Sequence, residues 1–209
     1  NQVVVEDFVA GGMENTTLTI LTHRTLFTDA SETIRSSQNL VSHELAHQWF
    51  GDYVTCKDWG ELWLNEGFAT YYAHLYDGHK NGRDSMLYGL YRDARRIVGA
   101  RDAPRAIVNR LYGKPWDQFD YRSYQKGSWV LHMLRTQLGE DLYRRCIKTY
   151  LERNALRSVV TADLLAVVEE LSGLSWDRFF DQWLFHARYP DLKISYKWIQ
   201  RDRLAKLTV

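Results

Sequence analysis

Polar and apolar side chains alternate through Thr16 to His23 (TTLTILTH), a stretch rich in β-branched residues, as a half-buried strand requires. Val3 to Phe8 (VVVEDF) is also strand-like. From Ser31 the period lengthens to that of a helix. Ser31 is predicted to cap a helix reaching about Phe50, and a second helix is expected from about Glu61 to Tyr76. A third, Tyr124 to Leu138, is stopped by Gly139. Three more follow. One carries Tyr143, Cys146, Ile147, Tyr150 and Leu151 on a single stripe. The next starts at Thr161 with Leu164, Val167, Val168 and Leu171, and the last starts at Ser175 with Trp176, Phe179, Phe180, Trp183 and Leu184. After Pro190, Leu192 to Tyr196 alternates again and Arg203 to Val209 is placed to pair with it. A lone two-stranded ribbon is marginal, so this tail is expected to open a further β domain. Leading strands followed by a helical body make the fold class α+β.

Length and composition narrow this only a little. The 209 residues suffice for one sizeable core. Apolar residues at 45% and charged ones at 25% are ordinary for a globular chain. A formal charge of +1 gives no electrostatic case for nucleic acid or an anionic membrane as partner. No apolar run approaches bilayer length. The two cysteines, Cys56 and Cys146, lack ligand spacing, and the stripe around Cys146 predicts a buried thiol. The arginines between Arg92 and Arg110 are interspersed with Asp93 and Asp102, and are expected to form a solvated helix and loop.

The strongest chemical signal is HELAHQWFGD, His43 to Asp52. Residues four apart on a helix project from one face, so His43 and His47 can grip one ion, with Glu44 beside it as a base for bound water. Imidazole nitrogens suit zinc, and a catalytic zinc needs a third protein ligand and an open fourth position. Glu66, in LWLNEGFATYY, follows His47 after eighteen intervening residues and lies on the next predicted helix. Packed antiparallel, that helix would bring Glu66 to the metal from the opposite side. Upstream, GGMEN (Gly11 to Asn15) has two readings, a bulge at a strand end or a segment whose Glu14 holds something.

Taken together, GGMEN, HELAHQWFGDYVT, Trp59, LWLNEGFATY and the YQKG of Tyr124 to Gly127 closely resemble the gluzincin aminopeptidases, the aminopeptidase N family, across most of the chain. The resemblance implies a thermolysin-like zinc-peptidase catalytic domain over residues 1–187, its N-terminal part incomplete. A truncated β domain then begins at 188–209, and flanking domains of a longer parent are absent. It implies one Zn²⁺ per chain and peptide substrates with a free N-terminus. Glu14 then binds the substrate's α-amino group, Gly11 and Gly12 let backbone approach the substrate, and Tyr124 stabilises the oxyanion. Tyr121 is a weaker contender for that role. Two alternatives accompany this reading: the family's bifunctional epoxide hydrolase/aminopeptidase branch, and a non-catalytic peptide-binding homologue. A thermolysin-like endopeptidase would not need Glu14. One departure stands out, because the family commonly carries an acid seven positions after the glutamate ligand, where this chain has Ala73. Thr70 or Asp77 is expected to compensate, with zinc held more weakly than in relatives.

Overall fold

The computed structural model of the protein describes residues 1–31, 34–190 and 192–209. Its leading sheet has strands β1 (Gln2–Val5), β2 (Gly12–Met13) and β3 (Thr19–Thr22), in the order β1-β3-β2. β1 runs parallel to β3, with Val4 opposite Leu21, and β2 runs antiparallel to it, with Gly12 also opposite Leu21. The alternating stretch is therefore the central strand of the sheet. Leu21 enters the core while β1 stays largely in solvent.

The helical body is built around α2 (Trp63–Asn81), which is buried on nearly every side over its first three turns. Helix α1 (Gln38–Ala46), helix α3 (Arg83–Gly99) and helix α4 (Gly127–Leu138) all pack on it. The approach of α2 to α4 is very close, since a Cβ on Gly67 would lie 3.1 Å from the Gly127 Cα. Any side chain at either position would hold the two helices apart. Beyond this contact, Phe68 stacks between Phe50 (ring centroids 4.2 Å) and Tyr150 (6.0 Å).

Helix α5 (Glu140–Arg153) and helix α6 (Thr161–Ser172) close the core from the far side. Their apolar stripes are those read from the sequence, and Cys146 is fully buried as expected. Two short strands, β4 (Val54–Cys56) and β5 (Arg157–Val159), pair in parallel and tie the loop after α1 to the loop before α6. The start of α6 is anchored by Glu61, itself buried. Glu61 accepts hydrogen bonds from the Thr161 amide (3.0 Å) and hydroxyl (2.6 Å), and the Trp63 indole donates to the same hydroxyl (2.9 Å).

Several boundaries differ from expectation. Helix α1 starts at Gln38 and not at Ser31, and just ahead of it the Ser36 hydroxyl accepts from the Gln38 amide at 3.1 Å. Residues 32 and 33, in the expected first turn, lie outside the described residues. At its far end α1 stops at Ala46, so His47 sits at the helix terminus. The helix expected from Ser175 is a single turn, α7 (Asp177–Phe180), which widens into a π-helical turn over Asp181–Phe185. The Leu184 carbonyl instead accepts from the Val108 amide at 2.9 Å. In the tail, strands β6 (Ser195–Ile199) and β7 (Leu204–Thr208) form an antiparallel ribbon whose residues are almost all exposed.

Candidate metal centre and active-site cleft

His43 and His47 lie one turn apart at the end of α1, and Glu66 lies in the first turn of α2. The α1–α2 packing brings them together. His43 Nε2, His47 Nε2 and Glu66 Oε2 form a triangle with all three edges at 3.1 Å. Adjacent donors on a tetrahedral zinc with bonds of 2.0–2.1 Å are about 3.3 Å apart, so the triangle is close to the face a zinc ion needs. The chemistry of the donors points the same way. His47 Nδ1 lies 2.9 Å from the Phe50 carbonyl oxygen, which can only accept. Nδ1 therefore carries a proton, which leaves Nε2 as the ring nitrogen positioned to face a cation.

The electrostatics describe a site built for positive charge. Burial alone would lower His47, but hydrogen bonding and charge from Glu66, with Glu14 adding, raise it to about 9. Burial alone would raise Glu66, but the two imidazoles hold it at about 2. A divalent cation would take the place of the proton that the carboxylate otherwise keeps on the imidazole.

Glu44 projects from α1 beside this triangle, and its carboxylate rests against the backbone of β2. A Cβ at Gly12 would overlap it. Burial raises Glu44 to about 7, with His47 opposing and Glu14 and Glu66 adding. Glu14, just past β2, brings its carboxylate to 3.7 Å from His47 Nδ1. Glu14, Glu44 and His47 all have ligand atoms within 4.8 Å of one another. Two carboxylates so close leave an excess of negative charge beside the metal face.

Gln48 fixes the Glu14 segment. Its side-chain amide donates to the Glu14 carbonyl (3.2 Å) and to Asp52 (2.9 Å), while its carbonyl accepts from the Thr17 amide (3.1 Å). Sequence reading did not single out Gln48. Its position beside His47 is visible, but its partners 31 and 34 residues away are not.

Tyr124 is carried on a π-helical turn, Arg122–Lys126, that leads into α4. A widened turn of this kind re-aims a side chain within a helix. The buried Arg122 anchors the turn through Asp120 (2.5 Å) and the Ala103 carbonyl (2.8 Å). The Tyr124 ring stacks on His43 at 6.0 Å between centroids. Burial, then Glu66, push its phenol far above the ordinary range, so it stays a neutral O–H donor.

One cleft of about 990 Å³ contains Gly11, Gly12, Glu14, His43, Glu44, His47, Glu66 and Tyr124. These eight residues therefore face the same space. Tyr121 does not line it. Thr70 and Ala73 do, whereas Asp77 is turned away and accepts from Asn81 (2.7 Å) and Ser85 (2.6 Å). Asp77 is therefore not directed at the His43–His47–Glu66 triangle. Near Ala73 the structure places a pair that sequence reading missed, His74 and Asp93, joined at 2.7 Å across α2 and α3. The lining also includes aromatic side chains, with Trp59 and Trp116 both packing on Phe119.

This fold and donor set are those of a metallopeptidase catalytic domain. Comparison with known proteins agrees. Residues 1–183 match the Peptidase family M1 domain. Aminopeptidase M1-C of Oryza sativa subsp. japonica is 34% identical over 94% of this chain, which spans 23% of the rice protein. An M1 zinc metallopeptidase from Deinococcus radiodurans superposes with a TM-score of 0.69 at 27% identity, over 91% of this chain and 40% of that one. Native yeast LTA4 hydrolase superposes at 0.78 with 26% identity, over 92% and 32%. The chain belongs to peptidase family M1. It spans less than a quarter of the length of the curated relatives it matches.

Proposed function

We propose that this chain is the catalytic domain of a zinc-dependent aminopeptidase that removes single residues from peptide N-termini. The observation that carries the reading is the pair of carboxylates, Glu14 and Glu44, facing each other beside the triangle of His43, His47 and Glu66. His43, His47 and Glu66 would hold one zinc ion, which supplies Lewis acidity toward the scissile carbonyl and toward water. Glu14 accepts hydrogen bonds from the substrate's α-ammonium, which neutralises the crowded negative charge and sets the register one residue from the chain end. Glu44, its carboxylate held against β2 beside the triangle, takes a proton from the attacking water as the water oxygen bonds to the carbonyl carbon. The same carboxyl passes that proton to the leaving nitrogen as the C–N bond breaks. Tyr124 donates its hydroxyl proton in a hydrogen bond to the carbonyl oxygen as that oxygen gains charge.

Residues 1–187 form this domain in our reading, with 188–209 the opening of a further β domain. The likeness to yeast LTA4 hydrolase supports a second reading, a bifunctional epoxide hydrolase/aminopeptidase.

The test uses zinc-loaded chain with leucyl and arginyl anilides beside their N-acetylated forms. Cleavage of the free-amine compounds alone is expected. Equal cleavage of both sets would remove the role given to Glu14, and cleavage of neither, with zinc bound, would sink the reading for this chain. In the same assay, Glu44→Gln is expected to bind zinc normally and to lose at least about 100-fold in kcat, the usual scale of a lost acid–base group.

A further inference from the structure

Resting on the aminopeptidase reading, we propose that the wall between α2 and α3 is a subsite for the residues after the scissile bond, and that Arg92 and Arg96 make it select a carboxylate.

The direction of the bound peptide follows from the two ends of the cleft. Glu14 lies at the His47 end, tied there by Gln48 and close to Gly51. Tyr124 lies at the His43 end, stacked on that ring. A peptide with its amino group at Glu14 crosses the donor triangle and leaves on the far side. There α2 continues as Thr70, Ala73 and His74, and α3 faces it with Arg92, Asp93 and Arg96, all lining the same cleft. Ala73 is seven residues past Glu66, about 10 Å along the helix axis. An extended peptide covers that distance in about three residues. Ala73 has only a methyl group, so at that position α2 neither narrows the path nor places a carboxylate.

This wall is positive on balance, with two guanidiniums against the single carboxylate of Asp93. Arg92 and Arg96 stand one turn apart on α3, exposed, and neither makes an ion pair among the described residues. The acid between them is committed elsewhere, because Asp93 turns inward and binds His74 at 2.7 Å. Asp77, the next acid along α2, is held by Asn81 and Ser85. Two guanidiniums without an ion-pair partner among the described residues, at the exit of the cleft, suit a carboxylate, which they can hold with charge-assisted hydrogen bonds. That carboxylate has two sources, an acidic side chain downstream of the scissile bond or the C-terminus of a short peptide.

Binding is measured on the zinc-loaded Glu44→Gln chain, by the fluorescence of the tryptophans in the cleft wall. The probes are Leu-Ala-Glu-amide, Leu-Ala-Gln-amide and Leu-Ala-Gln with a free carboxylate. One or both carboxylate peptides are expected to bind about 5-fold or more tightly than the neutral one, the scale of a partly exposed charge contact. A gain with Leu-Ala-Glu-amide identifies the side chain, and a gain with Leu-Ala-Gln identifies the C-terminus. Adding Arg92→Gln and Arg96→Gln is expected to bring all three within about 2-fold. Equal affinities in the starting chain, or a preference that survives the arginine changes, would overturn the proposal. Leucyl anilide turnover by the unaltered chain, run in parallel, separates the two claims. Its failure with the preference intact would sink the aminopeptidase reading and leave the carboxylate subsite standing.

Discussion

Gly12 carries a constraint that its own neighbours do not explain. The backbone of β2 touches the Glu44 carboxylate, so a methyl at Gly12 and the present position of Glu44 are mutually exclusive. The resemblance assigns Gly12 to backbone approach by substrate, whereas the structure shows that Glu44 also needs that space. Gly12→Ala is expected to lower kcat/KM about 10- to 100-fold by displacing Glu44, the base of the proposed mechanism, since misplacement by about 1 Å costs that much. Zinc content is expected to match that of the unaltered chain, and loss of zinc together with activity would refute this account. Cys56 illustrates the opposite case, a reactive group at the cleft made inert. Burial, with Asp58, Glu66 and Glu61 adding, pushes its thiol up to about 12. The neutral thiol therefore persists up to about pH 12 and the thiolate is scarce near neutrality. Ellman's reagent at pH 8 is expected to label the folded chain far more slowly than the unfolded chain, with the rate rising as pH increases. Labelling at the unfolded rate would mean the thiol is not shielded as described.

Among the elements, the crossing of α2 over α4 positions both sides of the site. Glu66 precedes Gly67, and the built Cβ of Gly67 would come 3.2 Å from the Ser123 carbonyl, in the turn that carries Tyr124. The neighbouring atoms are backbone and cannot swing aside. Gly67→Val is therefore expected to destabilise the fold by about 3 kcal/mol, the upper end of overpacking costs, and to separate Tyr124 from the donor triangle. Urea unfolding measures the first effect, and an unchanged midpoint would show that the helices can part freely. Much at this scale was readable beforehand. The stripes of α5 and α6 and the stop at Gly139 follow from local period and a single breaker residue. What local pattern could not reveal was set by distant partners. The apolar stripe after Ser175 reads as a long helix, yet Val108 claims the Leu184 carbonyl and the helix opens into a wide turn. The same holds for the site. His43, Glu44, His47 and Glu66 share a motif with fixed spacing, whereas Gln48 and Asp93 act through residues of other elements.

Over the whole molecule, one part contributes nothing to the core. The β6–β7 ribbon exposes Tyr196, Leu204 and Leu207 at 60–68%, on strands with no packed face. An isolated hairpin of this kind supplies little stability, and none of its residues belongs to the buried cluster around α2. Its apolar side chains form a surface of the kind that normally lies against another layer. If residues 188–209 open a separate β domain, two consequences follow together. Removing residues 191–209 is expected to leave the melting temperature within about 2 °C, because no buried apolar area is lost. It is also expected to reduce self-association, since exposed edges and apolar faces of such ribbons template pairing. Calorimetry and sedimentation of the two chain lengths test both. A large fall in melting temperature would place the ribbon within the catalytic fold, and would move the domain boundary past the end of β7.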